Sequence, residues 1–471
     1  MTSSTVEVGR SMPVWFKSGI ATAFVLAACW GSAIWYWRTT DSTPAMSDLM
    51  LVLLALPSGL LLALWLGKKA IASHGAIAAT TAASPAAVQA ATTARSTPPL
   101  AILATALRSP HGSSAEELAA LIATNKAQPD LDKQLVDDEG FPLTCARRDD
   151  ADDEVLQEEV LEWQSRNGLP ESLFGEAQWR ALILGTAVMR DLAWHAMSEL
   201  GSAEGSAPQL HLIPLLSVDW TVEQRSAAQM WFQHIATQAG FPSKDVTGMN
   251  GSLGLEESAL PKMLDRFALD ACTTDARLAA IVIACGSSID QTTVDEWAEK
   301  GRLFTPSQPQ GFVPGEGAAG LLLTELRQAK SIDGAVYTVL EPTVEAKRDP
   351  SHRSSKPAGA GFLDELAARA LKCASVDVTD IGMVVGDASY RGQCMHELMG
   401  FTATTMPHLD STADVASVGP GCGSCGAVPF VTALALAWHY ALERGKPVLY
   451  MSNDDPELGH AVLVRPAASE I

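Results

Sequence analysis

Basic residues are scarce in this sequence, and their scarcity excludes a large class of function. The 471 residues include 33 Lys and Arg against 54 Asp and Glu, which gives a formal charge of −21. Nucleic-acid binding normally requires a basic face, and no cluster of Lys and Arg supplies one here. We therefore expect no nucleic-acid partner.

Motifs of common metal and nucleotide sites are also missing. None of the ten histidines forms an H-x-x-x-H or H-E-x-x-H pair, and no G-x-x-x-x-G-K-[ST] phosphate loop occurs. Cys422 and Cys425 form one C-x-x-C, for which redox chemistry and metal binding are two interpretations and compact packing is a third. Zinc would need further ligands, of which His408 and Cys394 are the nearest in the sequence. We expect no cofactor and no metal.

Long apolar runs are confined to the N-terminus. Residues 13–37 are apolar except for Lys17, and residues 49–67 form a second run that is long enough to cross a bilayer. Basic residues flank the outer ends of the runs, namely Arg10, Lys17, Lys68 and Lys69. A cleaved signal peptide is the alternative for the first run. Residues 1–69 are thus predicted to be a membrane anchor with two transmembrane helices, and the positive-inside rule places the large C-terminal part in the cytoplasm, where cysteines stay free.

A linker and an α/β domain are predicted after the anchor. Residues 70–99 are rich in Ala, Thr and Ser without apolar periodicity, which is typical of a flexible tether, with a helical stalk as the alternative. From residue 100 onward, short apolar runs alternate with helix-like stretches. The predicted strands are LAILATAL, LAAIVIACG, AAGLLLTE and IGMVVGD, and the predicted helices include AEELAALIAT, AQMWFQHIATQAG, LDELAARALKCA and PFVTALALAWHYALERG.

Two features of this domain are expected to have structural roles and no binding or catalytic role. The acidic stretch CARRDDADDEVLQEEVLEW is expected to be a solvated helix or loop. The tryptophans are expected to pack in the core or at an interface and not to form ligand cages; they are Trp163, Trp179, Trp194, Trp220, Trp231 and Trp297.

The stretch GFVPGEGAAG, residues 311–320, places two glycines around a single carboxylate. Glycine permits tight turns and close backbone contacts, so Gly315, Glu316, Gly317 and Ala318 predict a turn that enters a buried strand. A carboxylate buried there without partners would cost several kcal/mol, on the order of the penalty for any unpaired buried charge.

In order and spacing, these segments resemble β-ketoacyl synthases of the thiolase-like superfamily. The resemblance rests on AILATALRSPHGSSAEELAALI, LAAIVIACGSSID, GFVPGEGAAGLLL, VDVTDIGMVVGDASYRG and SVGPGCGSCGAVPFVTALALA, and it runs from about Leu100 to the C-terminus. It implies two similar βαβαβ halves, near residues 100–345 and 356–471, that pack as a five-layered α-β-α-β-α sandwich. It also implies a homodimer, a buried and hydrogen-bonded structural Glu316, and compact packing for the C-x-x-C.

The same resemblance implies that the catalytic groups are missing. The family condenses acyl thioesters with a cysteine nucleophile and two histidines. Asp387 stands where the first histidine belongs, Pro420 where the second belongs, and Val415 where a supporting lysine would lie. The nucleophile should lie near residues 251–255, where GSLGL offers only the hydroxyl of Ser252. We therefore name no catalytic residue and treat Ser252, Asp387 and Pro420 as vestigial positions.

These observations lead to one expected function and one alternative. The expected protein is a pseudoenzyme at the bacterial inner membrane that acts as a scaffold or regulatory interaction subunit, and the resemblance suggests an envelope machine such as type VI secretion as its setting. The alternative is a β-ketoacyl synthase-like enzyme or acyl-binding protein of fatty acid, lipid or polyketide metabolism, so an acyl thioester ligand stays open.

Overall fold

The fold is known from a computed structural model that describes residues 97–201, 208–217, 219–248, 259–274, 276–348, 361–389, 391–455 and 457–467. Both predicted membrane spans, most of the predicted linker, and Ser252 lie outside these residues. Within the described ranges, no helix combines the length and the apolar character that crossing a bilayer requires.

The described residues form a mixed α/β structure. Its strands are β1 (Leu100–Arg108), β2 (Asp130–Val136), β3 (Pro142–Cys145), β4 (Gln209–Leu215), β5 (Val246–Gly248), β6 (Leu278–Ser287), β7 (Glu316–Glu325), β8 (Thr338–Leu340), β9 (Val344–Lys347), β10 (Met383–Gly386), β11 (Val415–Ser417), β12 (Val448–Ser452) and β13 (Leu458–Pro466). Its helices are α1 (Ala115–Ala123), α2 (Glu154–Arg166), α3 (Glu176–Leu200), α4 (Val222–Gln238), α5 (Leu260–Thr273), α6 (Gln291–Glu299), α7 (Leu326–Lys330), α8 (Gly361–Ala374), α9 (Gly392–Thr405), α10 (Gly419–Cys422) and α11 (Val428–Arg444).

The large sheet repeats one strand order in two halves. The first half runs β5-β4-β6-β7-β1 and the second runs β11-β10-β12-β13-β8. In each half the fourth strand of this order, β7 or β13, is antiparallel to both of its neighbours. The halves join where β1 pairs with β8 over Leu100–Ile102. Strand β8 spans Thr338–Leu340 and therefore pairs with the N-terminal end of β1.

Three groups of helices cover the two halves. The central group contains α1, α5 and α11, and α11 contacts β7 of the first half as well as β12 and β13 of the second. Helices α2, α3 and α4 build a separate core with the first half. Helices α8 and α9 build another with the second half. Both halves of the sheet therefore lie between helices.

The strongest sequence signals correspond to the central elements. Strand β6 is apolar along nearly its whole length and is buried, as expected for a strand covered on both faces. Helix α11 has Pro429 in its first turn and is capped after Arg444 by Gly445, whose φ of 61° is left-handed and whose N–H donates to Ala441. The strand and helix predicted at these places are confirmed.

The acidic stretch after β3 differs from its prediction. It contains β3's last residue, a short 3₁₀ turn and α2, and its apolar residues Leu156, Val160 and Trp163 are buried in the core beside the first half. These three side chains recur at helical spacing, so one face of α2 packs inward although its other face is charged. The expected solvated helix or loop is thus a helix whose charged face is exposed and whose apolar face is buried.

Candidate functional site

Glu316 lies at the start of β7 and is completely buried. Its Oε2 accepts from Arg180 Nε at 2.8 Å and its Oε1 accepts from Arg180 Nη2 at 2.7 Å. The backbone N–H of Arg148 donates to Oε1 at 2.7 Å, and Ser287 Oγ donates to Oε2 at 3.1 Å. Every lone-pair direction of the carboxylate is thus served by the protein.

Arg180 gives this carboxylate its counter-charge. Its side chain comes from α3 and is also buried, and it forms a further ion pair with Asp152. Burial alone would lower the pKa of Arg180, but the hydrogen bonds and charge of Glu316 raise it instead. Removing one partner of such a pair costs roughly 3–5 kcal/mol, because the other charge stays buried. The bidentate pair therefore anchors the start of β7 to α3. Both side chains are engaged in hydrogen bonds and ion pairs within the protein.

Glycines bring three loops into direct backbone contact around this pair. A Cβ on Gly315 would lie 2.1 Å from the carbonyl oxygen of Cys422, and one on Gly286 would lie 2.4 Å from that of Cys425. Ser288 Oγ ties the same loops together by donating to the carbonyl of Ser424 at 2.9 Å. Gly315 and Gly286 are thus required by close packing against the C-x-x-C segment, whereas a Cβ on Gly317 would lie 2.9 Å from the carbonyl oxygen of Arg108.

The thiols of that segment are buried and free. Cys422 is completely inaccessible, and Cys425 is only 4% exposed. Burial raises the pKa of Cys422 to about 12 and raises the pKa of Cys425 well above its usual value. A reactive thiol needs an accessible thiolate, so the geometry favours packing over redox chemistry. Among the described residues, no cluster of His, Cys, Asp and Glu is suited to hold a metal ion.

Asp387 follows β10 and points into the core. Tyr450 Oη donates to its Oδ2 at 2.9 Å, and the N–H of Asn453 donates to its Oδ1 at 3.2 Å. Burial raises the pKa of Asp387 to about 6, the neighbouring charge of Asp454 adds to this, and the hydrogen bonds from Ser452 and Tyr450 oppose it. The Asp387 carboxyl group is thus hydrogen-bonded inside the protein, and the residue is only 3% exposed.

Pro420 lies on the neighbouring loop, in the first turn of α10 after β11. The N–H of Val418 donates to Gly386 at 3.0 Å, and Ser417 Oγ donates to Ala388 at 2.9 Å. The structure therefore brings the Asp387 and Pro420 segments together at the ends of two adjacent parallel strands. Val415, at the start of β11, is buried in the core beside the second half, and Ser252 lies outside the described residues.

His111 borders the same region, and sequence reasoning missed it. A Cβ on Gly421 would lie 3.3 Å from the His111 ring, and His111 Nε2 is buried with no hydrogen-bond partner among the residues that the structure describes. Burial lowers the pKa of His111. The ring lines a cleft of about 220 Å³, together with Asp132, Cys145 and Arg147. The turn SPHG after β1 was a visible signal, but nothing in the sequence indicated that this turn meets α10.

Comparisons with known proteins place the fold. No family model matches the chain, and no curated protein matches it. Solved structures do match: a ketosynthase domain of the oxazolomycin system of Streptomyces albus JA3453 is 12% identical with a TM-score of 0.53, covering 79% of this chain and 75% of that one. The ketosynthase from module 6 of the bacillaene synthase of Bacillus subtilis 168 is 12% identical with a TM-score of 0.52, covering 79% and 72%.

The chain has the thiolase-like fold of ketosynthases. This confirms the resemblance found in the sequence at the level of the fold. At 12% identity the likeness carries no reaction to this chain. The ketosynthase-like frame is therefore established by the strand order and by the comparisons together, and the function has to be argued from the side chains.

Proposed function

We propose that this chain is a non-catalytic scaffold or regulatory interaction subunit with a ketosynthase-like domain. In this proposal residues 1–69 hold it at the bacterial inner membrane, the domain faces the cytoplasm, and the chain forms a homodimer. The partners are subunits of a bacterial envelope machine, for which type VI secretion is the suggested setting.

The observation that carries the proposal is the state of Asp387. A group that stabilises an enolate or oxyanion must direct a donor at the substrate. Asp387 instead accepts from Tyr450 and Asn453 within the core. Pro420, at the other position, has no side-chain donor at all. Neither group can take the part of a histidine in thioester condensation.

The glutamate and cysteine cluster supports the same proposal. Glu316 and Arg180 neutralise each other, and the buried thiols of Cys422 and Cys425 have raised pKa values. These side chains hold loops together, whereas a reaction centre would need side chains that are free to contact a substrate. Among the described residues, Glu316, Arg180, Cys422 and Cys425 are therefore engaged in pairing and packing.

A thioester assay on the full-length protein tests the proposal. With radiolabelled malonyl and acyl thioesters, we expect neither decarboxylation nor condensation above a heat-inactivated control. Ser252→Ala and His111→Ala are measured alongside, since Ser252 is the remaining hydroxyl near the nucleophile position and His111 is the imidazole beside α10. Turnover that either substitution abolishes would show that the chain is an enzyme.

A further inference from the structure

His460 is a buried histidine in β13 that the proposed function does not use. The residue is 1% exposed. It lies opposite Ser452 of β12 on one side and opposite Glu345 of β9 on the other. Its ring meets the ring of Phe430 on α11 edge to face, with 5.8 Å between the centroids. The imidazole is thus enclosed by two strands and a helix, and neither Ser452 nor Phe430 titrates near neutral pH.

Neither ring nitrogen of His460 has a hydrogen-bond partner among the residues that the structure describes. A neutral imidazole has one N–H donor and one acceptor nitrogen, and protonation makes both nitrogens donors. The Oε2 atom of Glu345 lies 3.8 Å from Nε2, which is too far for a hydrogen bond. A proton taken up here would therefore create a buried cation without a hydrogen-bonded partner, which is unfavourable in a protein interior.

Two acidic residues reduce this cost without removing it. Burial lowers the pKa of His460, and the charges of Glu345 and Asp455 raise it by less than burial lowers it. The carboxylate of Glu345 belongs to a side chain that is 31% exposed, so water screens its charge. Glu457, on the same loop as Asp455, is exposed as well. The closed arrangement thus favours the neutral imidazole.

Other charged groups near these strands are exposed or already paired. Lys347 lies two residues beyond Glu345 in β9 and is exposed. At the end of β9, the guanidinium of Arg348 donates to both carboxylate oxygens of Glu397 at 2.8 Å. Asp454, in the loop between β12 and β13, is paired with Arg391 at 2.7 Å. Helix α8 covers the other face of β9 and β13 with an apolar core.

Strand β9 is weakly held in the sheet. Among the described strands it pairs with β13 alone, over Leu458–Ala461. It has four residues, of which only Val344 is buried. Local openings of short, partly exposed segments occur more readily than global unfolding. Separation of β9 from β13 would uncover the side of His460 that Glu345 now faces.

We propose that His460 makes the pairing of β9 with β13 sensitive to acid: a proton from water binds the imidazole, and β9 separates from β13 so that water solvates the charged ring. The open state binds the proton more tightly than the closed state, so its population grows as the pH falls. Glu345 opposes the opening, because its carboxylate stabilises the cation in the closed state. This inference goes beyond the scaffold function proposed above and does not depend on it.

Hydrogen exchange of the full-length protein at pH 7 and pH 5 tests the proposal. Protection factors are compared, because they remove the intrinsic effect of pH on amide exchange. We expect those of β9 to fall several-fold at pH 5, with a ceiling of about 25-fold that is set by the ordinary histidine pKa of 6.5. His460→Gln should abolish this fall, and Glu345→Gln should enlarge it. At both pH values β9 should exchange faster than the buried strand β6, since its opening is local.

Three matched variants control for the loss of a titrating group. His396→Gln removes an exposed imidazole on α9, and Glu365→Gln removes an exposed carboxyl on α8. Asp387→Asn removes a carboxyl whose pKa is about 6 and which is linked to the His460 ring through Tyr450 and Phe430. All three should show the same acid-induced fall in β9 as the unchanged protein.

Several results would overturn the proposal. Protection of β9 that is equal at pH 7 and pH 5 would do so, and so would a fall that persists in His460→Gln. Exchange of β9 at the rate of β6 would show that only global unfolding uncovers the ring. If His460→Gln does not fold, Glu345→Gln decides, because an acid-induced fall no larger than in the unchanged protein would contradict the role assigned to the imidazole.

Discussion

At the residue scale, two buried carboxylates differ in the charge of the groups that surround them. Glu316 faces the guanidinium of Arg180, whereas Asp387 receives neutral donors from Tyr450 and Asn453 and lies near a second carboxylate, Asp454. Hydrogen bonds alone offset only part of the cost of burying a charge. The proton affinity of Asp387 is therefore raised in the folded protein.

This makes Asp387 a contributor to pH-dependent stability. Its pKa is about 6 in the folded chain against 3.8 ordinarily, so the folded state binds more protons between these values and its stability falls as the pH rises. Below pH 3.8 the contribution is fully present, and it is lost as the pH passes through about 6. Between pH 4 and pH 7, urea unfolding should show the wild type losing a few kcal/mol relative to Asp387→Asn, on the order of its pKa shift.

The exposed carboxyl of Asp138 provides the control for that experiment. Asp138→Asn should follow the wild type across the whole pH range. If the wild type and Asp387→Asn instead kept a constant difference in free energy of unfolding, Asp387 would not carry the raised pKa.

At the element scale, the fold depends on loops that touch through their backbones. Gly315, Gly286 and Gly419 each have a backbone carbonyl within 2.4 Å of where a Cβ would lie. A backbone atom cannot move aside as the end of a side chain can. The loop before β7 and the end of β6 where they meet the C-x-x-C segment, and α10 where it meets the loop after β10, therefore tolerate no side chain.

Two Gly→Ala substitutions distinguish the steric effect of this close packing from the general effect of glycine on helix stability. Gly315→Ala would place its methyl group 2.1 Å from Cys422 O, so we expect a loss of about 3 kcal/mol or more. Gly400→Ala lies inside α9 with nothing within 4 Å, so it should stabilise the protein by about 0.5–1 kcal/mol. Denaturant midpoints measure both. Similar effects of the two substitutions would contradict the close-packing explanation.

The sequence predicted secondary-structure elements better than it predicted which distant residues contact one another. Strands β6 and β7 and helix α11 were visible because apolar runs, a first-turn proline and a final glycine are local signals. The counter-charge of Glu316 was not, since Arg180 is 136 residues away and only the packing of α3 on β7 brings it there. The burial of α2 and the closeness of His111 to α10 were missed for the same reason.

At the scale of the whole molecule, one strand order occurs twice in the large sheet. Both halves keep their antiparallel fourth strand, and α11 joins them through a shared core. The positions expected to be catalytic hold a core carboxyl and a proline. Bracing by Glu316 and Arg180 needs no substrate, which is consistent with the scaffold function proposed above.

The proposed orientation at the membrane can be tested with the chain's own cysteines. Cys373, on α8, is exposed, whereas Cys145, Cys285, Cys422 and Cys425 are buried. If the domain faces the cytoplasm, as the basic residues flanking the predicted spans indicate, an impermeant polyethylene-glycol maleimide should leave the protein unmodified in intact spheroplasts. After permeabilisation it should add one main mass shift, and Cys373→Ser should lack that shift. Modification of Cys373 in intact spheroplasts would place the domain outside the inner membrane and reverse the proposed topology.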